Sequence, residues 1–97
     1  LYAVPDPLGW YPALVMGAAG VVRGMVYEAP VDFCFAALDA YEGSDYVRAP
    51  IPVVAAGQPV MAQAYLWAGP LPDGAQAIDH GDFGRWLGER GARAYSA

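Results

Sequence analysis

Residues 46–67 read YVRAPIPVVAAGQPVMAQAYLW. Two runs rich in Val, Ala, Tyr and other apolar residues, separated by a short break that contains glycine, are typical of two strands joined by a turn. The pattern predicts strands over residues 46–54 and 60–67, with the turn at residues 56–58. The sequence therefore predicts a β-hairpin here.

Two prolines place the first of these strands at a sheet edge. Pro50 and Pro52 lie two positions apart, so the backbone nitrogens that carry no hydrogen face the same side of the strand. The surrounding stretch, residues 49–72, is uncharged and long enough for a membrane span, but its prolines would break a helix several times. We interpret it as two buried strands and expect no membrane partner.

A helix is predicted immediately upstream, over residues 33–41. Asp32 is a suitable N-cap residue, and Gly43 is a suitable residue to end the helix. Apolar residues at helical spacing form a stripe that should face the core. The stripe consists of Cys34, Ala37, Leu38 and Tyr41.

The remaining elements are shorter. Strands are predicted over residues 1–4, 11–15 and 21–28, loop over residues 72–79, and a second helix over residues 82–89 with Phe83, Trp86 and Leu87 on its apolar face. Strands that follow one another through short turns favour an antiparallel or mixed sheet. The sequence predicts an α+β fold, a small mixed β-barrel with one or two flanking helices, in a single domain over residues 1–97.

Composition excludes several classes of protein. The chain has 97 residues, of which 57% are hydrophobic and 13% aromatic, so it is not a disordered chain. A formal net charge of −5 without a cluster of arginines argues against a nucleic-acid partner. One cysteine and one histidine argue against a disulfide framework and against a zinc site. The acidic, cysteine-poor chain, which carries no signal-peptide pattern, suggests the cytoplasm.

Glu42 is the candidate for proton transfer. It follows Leu38 by one helical turn, on the shoulder of the apolar stripe and at the C-terminal end of the predicted helix. Burial and the negative end of the helix dipole both favour a protonated carboxyl, which suits a general acid/base that works near neutral pH. The alternative for the same residue is a solvated carboxylate at a helix end.

A family pattern runs through most of the chain. Its segments are LG at 8–9, YPAL at 11–14, VRGMVY at 22–27, LDAYEG at 38–43, YVR at 46–48, AYLW at 64–67 and IDHGDF at 78–83. In this order and spacing the chain resembles the gamma-glutamylcyclotransferase-like family, in particular its small bacterial members. The most specific part is Leu-Asp-x-x-Glu-Gly followed by Tyr-x-Arg.

The resemblance implies a small barrel with a pocket at one rim, Glu42 as the catalytic residue, and a small-molecule gamma-glutamyl substrate. In the implied reaction the α-amine of the substrate attacks its own γ-carbonyl, giving 5-oxoproline and releasing an amine or an amino acid. The substrate supplies the nucleophile, so we expect no metal and no cofactor. One carboxylate can take the proton of the attacking ammonium and give it to the leaving amine.

Three tyrosines are further candidates for substrate binding. Tyr46 follows Glu42 by a short turn and could orient it, contact substrate or fill the core. Tyr11 and Tyr65 could line a pocket or pack in the core.

Arg48 is the candidate for binding a substrate carboxylate. It could equally form a structural ion pair with Asp39 or Asp45. Asp39 itself is expected to make a structural hydrogen bond near the helix end.

One part of the family pattern is missing. Members of the family carry a Tyr-Gly-Thr-Leu or Tyr-Gly-Ser-Asn loop near the N-terminus, and residues 1–4, LYAV, do not match it. Either the given sequence lacks this loop and the first barrel strand, or the protein is a member without the usual substrate-holding loop. A non-catalytic small-ligand binding module and a structural or oligomerisation domain therefore stay open as alternatives, with a monomer or a homodimer as the expected assembly.

Overall fold

The computed structural model describes residues 1–17 and 20–96. The elements in chain order are β1 (Tyr2–Asp6), β2 (Gly9–Ala13), α1 (Phe35–Glu42), β3 (Tyr46–Ala55), β4 (Gln58–Trp67), β5 (Gln76–Ala77) and α2 (Phe83–Arg90). They fall into two compact units. We call Leu1–Gly24 together with Gly69–Ala97 the terminal unit, and Met25–Ala68 the hairpin unit.

The terminal unit contains a three-stranded antiparallel sheet in the order β2-β1-β5. The prediction of two strands near the N-terminus is confirmed, whereas β5 lies in a stretch predicted as loop. Its two residues pair with Tyr2 and Ala3, more than seventy positions away, and local sequence carries no signal of so distant a partner. At the other end of the chain the backbone N–H of Tyr95 donates to the carbonyl of Trp10 at 2.6 Å, which holds the C-terminal segment against β2.

Helix α2 forms as predicted and supplies the core of the terminal unit. Asp82 is the N-cap residue, and its carboxylate accepts a hydrogen bond from the backbone N–H of Arg85 at 2.9 Å. Trp86 is 3% exposed and packs with Ala3 and Ile78 in the core. The rings of Trp10 and Trp86 meet edge to face, with centroids 5.0 Å apart.

The hairpin unit is built on β3 and β4, whose register runs from Tyr46 opposite Trp67 to Ala55 opposite Gln58. Ala56 and Gly57 connect the strands with φ angles of 50° and 76°, and positive φ at both central positions defines a type I′ turn. The predicted hairpin is confirmed, and its two prolines lie in a strand with one open edge.

The expectation that both hairpin strands are buried is wrong. Side chains along β3 alternate between half-buried and exposed, and the first four residues of β4 are all exposed. Val54, for example, is 76% exposed. A two-stranded sheet has one face on which α1 can pack, so alternate residues stay in solvent.

The prediction of a strand over residues 21–28 is also wrong. These residues form no helix or strand, and every one of them is exposed. A strand requires a partner for its backbone groups, and alternation of side chains does not supply one. From this stretch the backbone N–H of Arg23 donates to the carbonyl of Gly81 at 2.7 Å, within the terminal unit.

Helix α1 turns a different face inward from the one predicted. Cys34 is exposed and Tyr41 is 78% exposed, so the predicted apolar stripe is not a core stripe. The half-buried residues of α1 are Phe35, Leu38, Asp39 and Glu42. Of these, Leu38 alone belongs to the predicted stripe. The N-cap residue is Cys34, without a side-chain cap bond, and not the predicted Asp32.

The α+β class is confirmed, with two helices and antiparallel sheets. Within residues 1–17 and 20–96 the strands form a three-stranded and a two-stranded sheet, and no closed barrel is found, so the barrel stays a prediction. The assignment of residues 1–97 to one domain also stays a prediction. No helix in the described part of the chain is long and apolar enough to cross a membrane.

Candidate functional site

Glu42 is the last residue of α1 and lies on its half-buried face. The helix ends there because Gly43 takes a φ of 83°, and its N–H donates to the carbonyl of Asp39 at 3.1 Å. Within the described residues the Glu42 carboxylate makes no hydrogen bond or ion pair with another side chain. This carboxylate is therefore available to an outside proton donor or acceptor.

Asp39 and Arg48 form an ion pair on the same face. Nε of Arg48 donates to Oδ1 of Asp39 at 2.8 Å, and a second guanidinium nitrogen donates to Oδ2 at 3.4 Å. The third guanidinium nitrogen donates to the Gln63 side-chain oxygen at 3.0 Å. The guanidinium carbon also lies 4.5 Å from the centre of the Phe35 ring, a cation–π contact. Of the partners considered from sequence, the structure pairs Arg48 with Asp39.

Tyr65 completes this cluster. It lies directly opposite Arg48 in the hairpin register, and its hydroxyl donates to Oδ1 of Asp39 at 2.5 Å. We call Asp39, Arg48 and Tyr65 the carboxylate clamp, because two donors from the hairpin hold one carboxylate of α1.

The electrostatics of the clamp follow from these bonds. The hydrogen bond from Arg48, and next the one from Tyr65, holds the pKa of Asp39 below its usual value. Burial, followed by the bond to Asp39, raises the pKa of Tyr65 to about 12. The charge of Glu42 makes the smallest contribution to the same rise in pKa. Near neutral pH Asp39 is thus a fixed anion and Tyr65 a neutral donor.

Tyr46 lies at the base of the hairpin, beside the end of α1. Its ring meets the ring of Trp67 edge to face, with centroids 5.2 Å apart, and its backbone N–H donates to the Gly43 carbonyl at 3.4 Å. Tyr46 is half-buried. This position suits either role proposed from sequence, packing or contact with substrate.

Tyr11 belongs to β2, in the terminal unit. Its ring meets that of Tyr95 edge to face, with centroids 6.1 Å apart. The other four candidates, Glu42, Tyr46, Arg48 and Tyr65, all belong to the hairpin unit.

Comparison with known families identifies the family of the chain. The model of the family described as gamma-glutamyl cyclotransferase, AIG2-like, matches residues 1–86. The chain belongs to this family. The family consists in general of cyclotransferase enzymes, so membership indicates gamma-glutamyl cyclotransferase activity in general, and the resemblance seen in the sequence is confirmed. No curated protein and no solved structure matches the chain.

Sequence reasoning missed two members of the site, Phe35 and Gln63. Both act through Arg48, whose side chain contacts each of them. The signal that could have found Phe35 is its spacing, because Phe35, Asp39 and Glu42 lie at i, i+4 and i+7 on one helix face. Residues 1–17 and 20–96 contain no group of three or more His, Cys, Asp or Glu side chains that could hold a metal ion.

Proposed function

We propose that this member of the cyclotransferase family converts a gamma-glutamyl amine or gamma-glutamyl amino acid to 5-oxoproline, with Glu42 as general acid/base. The observation that carries the proposal is the placement of Glu42. It belongs to the LDAYEG segment inside the matched residues 1–86, and it lies on the half-buried face of α1 with its carboxylate unpaired among the described residues.

The proposed reaction moves two protons from the attacking nitrogen to the leaving nitrogen. Glu42 takes a proton from the substrate α-ammonium, and the resulting amine attacks the γ-carbonyl carbon. A carbon–nitrogen bond forms to close the five-membered ring, Glu42 gives its proton to the leaving nitrogen, and the bond from the γ-carbon to that nitrogen breaks. The ring nitrogen gives up its second proton to become the amide nitrogen of 5-oxoproline, and Glu42 passes this proton to the released amine, which leaves as an ammonium ion. Such a group contributes roughly 10²–10⁴ in rate, and a bound conformer ready for ring closure contributes much of the rest.

The contacts of Asp39 support the choice of Glu42 between the two carboxylates on this helix face. Asp39 accepts bonds from Arg48 and Tyr65, and both bonds favour its ionised form. A carboxylate held in this way is a poor proton carrier near neutral pH. Glu42 has no such partner among the described residues, so its carboxylate is open to the reacting groups of a substrate.

The same contacts limit the role that we propose for the other candidates. The guanidinium of Arg48 donates hydrogen bonds to Asp39 and Gln63, so contact with a substrate carboxylate requires those bonds to rearrange. We propose Tyr46 as the side chain next to the reacting groups, since it begins the strand that follows Glu42. Tyr11 and Tyr65 remain proposed substrate contacts. We propose the cytoplasm as the setting, and neither nucleic acid nor membrane as a partner.

A panel of gamma-glutamyl amines, amino acids and isopeptides tests the activity through 5-oxoproline release. The protein is used as the full encoded chain, in wild-type form and as Glu42→Gln. Asp45→Asn is the matched control, since Asp45 is an exposed carboxylate three residues further along. We expect the wild type and Asp45→Asn to turn over at least one substrate, and Glu42→Gln, folded by circular dichroism, to lose that turnover. Equal turnover by Glu42→Gln would reject the assignment.

A non-catalytic binding module is the second candidate. Such a module keeps Glu42, Tyr46, Arg48 and Tyr65 together in the hairpin unit and binds a gamma-glutamyl compound without turnover. Calorimetric titration of the same panel separates the two candidates. Binding without 5-oxoproline release by the wild type would support the binding module.

A further inference from the structure

We infer that Asp39 is a positioning residue, which fixes the rotation of α1 on the hairpin and thereby the place of the Glu42 carboxylate. The inference rests on the proposed function, because it assigns to Asp39 a role in the work of Glu42. It follows from three observations: the weakness of α1 as an isolated helix, the single point at which the clamp holds it, and the spacing of the residues on its inner face.

Helix α1 cannot fix its own position. It has eight residues, no side-chain N-cap bond and no fully buried residue. A helix of this length, about 12 Å, is marginal in water, and its position in a protein depends on its tertiary contacts. Asp39 and Phe35 supply such contacts, and both reach Arg48.

The clamp joins α1 to one position of the hairpin. Arg48 of β3 and Tyr65 of β4 are register partners, so the two donors that reach Asp39 come from the same cross-strand pair. The fork of Arg48 engages both carboxylate oxygens, which fixes the plane of the carboxylate as well as its distance. This geometry resists rotation of the helix about its axis more than a single bond could.

The spacing of three residues between Asp39 and Glu42 means that the clamp also limits the position of Glu42. Residues three apart on a helix lie on one face, so a helix held at Asp39 is also held at Glu42. Successive residues are turned by about 100° around the axis, so even a small rotation moves the Glu42 carboxylate relative to the hairpin. A misplacement of about 1 Å can cost on the order of 10²-fold in rate.

Asp39→Asn tests the inference in the full chain. The amide keeps the size of the side chain, but it loses the charge and one acceptor for the Arg48 fork. We expect kcat for 5-oxoproline formation to fall by about tenfold to a hundredfold, with KM changed less than about twofold. Asp32→Asn removes an exposed carboxylate of the same unit and should leave both constants unchanged. In a Glu42→Gln background Asp39→Asn should cause no additional loss, because there is no general base left to position.

Tyr65→Phe keeps the inference testable if Asp39→Asn does not fold. It removes one donor of the clamp and leaves the ion pair between Asp39 and Arg48 intact. We expect a severalfold loss of kcat in a protein that is still folded by circular dichroism. Full kcat in both Asp39→Asn and Tyr65→Phe would overturn the inference, and so would a loss in Asp39→Asn that is confined to KM, which would indicate that Asp39 contacts substrate directly. Activity in Glu42→Gln would instead overturn the proposed function, so the two failures are distinct.

Discussion

At the scale of single residues, the two carboxylates on the inner face of α1 differ in their hydrogen-bond partners. Asp39 receives a guanidinium fork and a phenol, whereas Glu42, one turn further along the same face, receives neither. Two carboxylates three positions apart thus differ in chemistry because their neighbours differ. The sequence pointed to Glu42 through the LDAYEG segment, and it left the partner of Arg48 open between Asp39 and Asp45. The contacts of a long side chain depend on the fold, so sequence could not choose.

Tyr65 gives the clamp a spectroscopic signature. Burial and the bond to Asp39 raise its pKa from 10.0 to about 12, which favours the neutral phenol in the folded state. Its stabilising contribution is therefore complete below pH 10 and is lost as pH rises from 10 to about 12. Absorbance titration of the seven tyrosines should show a late component near pH 12.

Tyr65→Phe should remove that late component, and Tyr41→Phe, at an exposed tyrosine of α1, should leave it in place. A late component that persists in Tyr65→Phe would contradict the hydrogen bond to Asp39.

At the scale of elements, the sequence predicted correctly those helices and strands that are stabilised by contacts between residues close in the chain. The hairpin of β3 and β4 needs only its own turn and its alternating strands, and its bounds agree with the prediction to within about two residues. Helix α2 carries its own cap in Asp82. Helix α1 lacks such a signal, and its inner face includes Asp39 and Glu42, which a search for apolar stripes passes over.

The turn of the hairpin offers a direct test of its type. Ala56 holds a φ of 50°, a left-handed conformation that costs an ordinary side chain about 1–2 kcal/mol. Asn tolerates this conformation, so Ala56→Asn should stabilise the protein by roughly 0.5–1 kcal/mol. Gly57→Ala should destabilise it by about 1 kcal/mol, since Gly57 has a φ of 76°. Urea denaturation measures both changes, and stabilisation by Gly57→Ala would rule out the type I′ turn.

The cap of α2 gives a second test at this scale. Asp82→Ala removes the acceptor of the Arg85 N–H and should lower the free energy of unfolding by about 1 kcal/mol. Asp79→Ala, at an exposed carboxylate three residues earlier, is the control and should change stability by less than about 0.5 kcal/mol. A larger loss from Asp79→Ala than from Asp82→Ala would show that the helix begins elsewhere.

At the scale of the whole molecule, each compact unit combines one antiparallel hairpin with one short helix. The terminal unit has β1, β2 and α2, and the hairpin unit has β3, β4 and α1. Sequence reasoning succeeded inside these local pairs and failed where a distant partner is required, at β5 and in residues 21–28. The family pattern was visible because its segments keep their order along the chain, and the match to residues 1–86 confirms it.

One comparison of two proteins shows whether Glu42 moves the proton during ring closure. 5-Oxoproline formation is measured for wild type and Glu42→Gln at saturating concentration of the best gamma-glutamyl substrate, after both proteins have been shown to be folded. We expect Glu42→Gln to lose roughly 10²–10⁴ in kcat. A folded Glu42→Gln protein that forms 5-oxoproline at the wild-type rate would contradict this expectation.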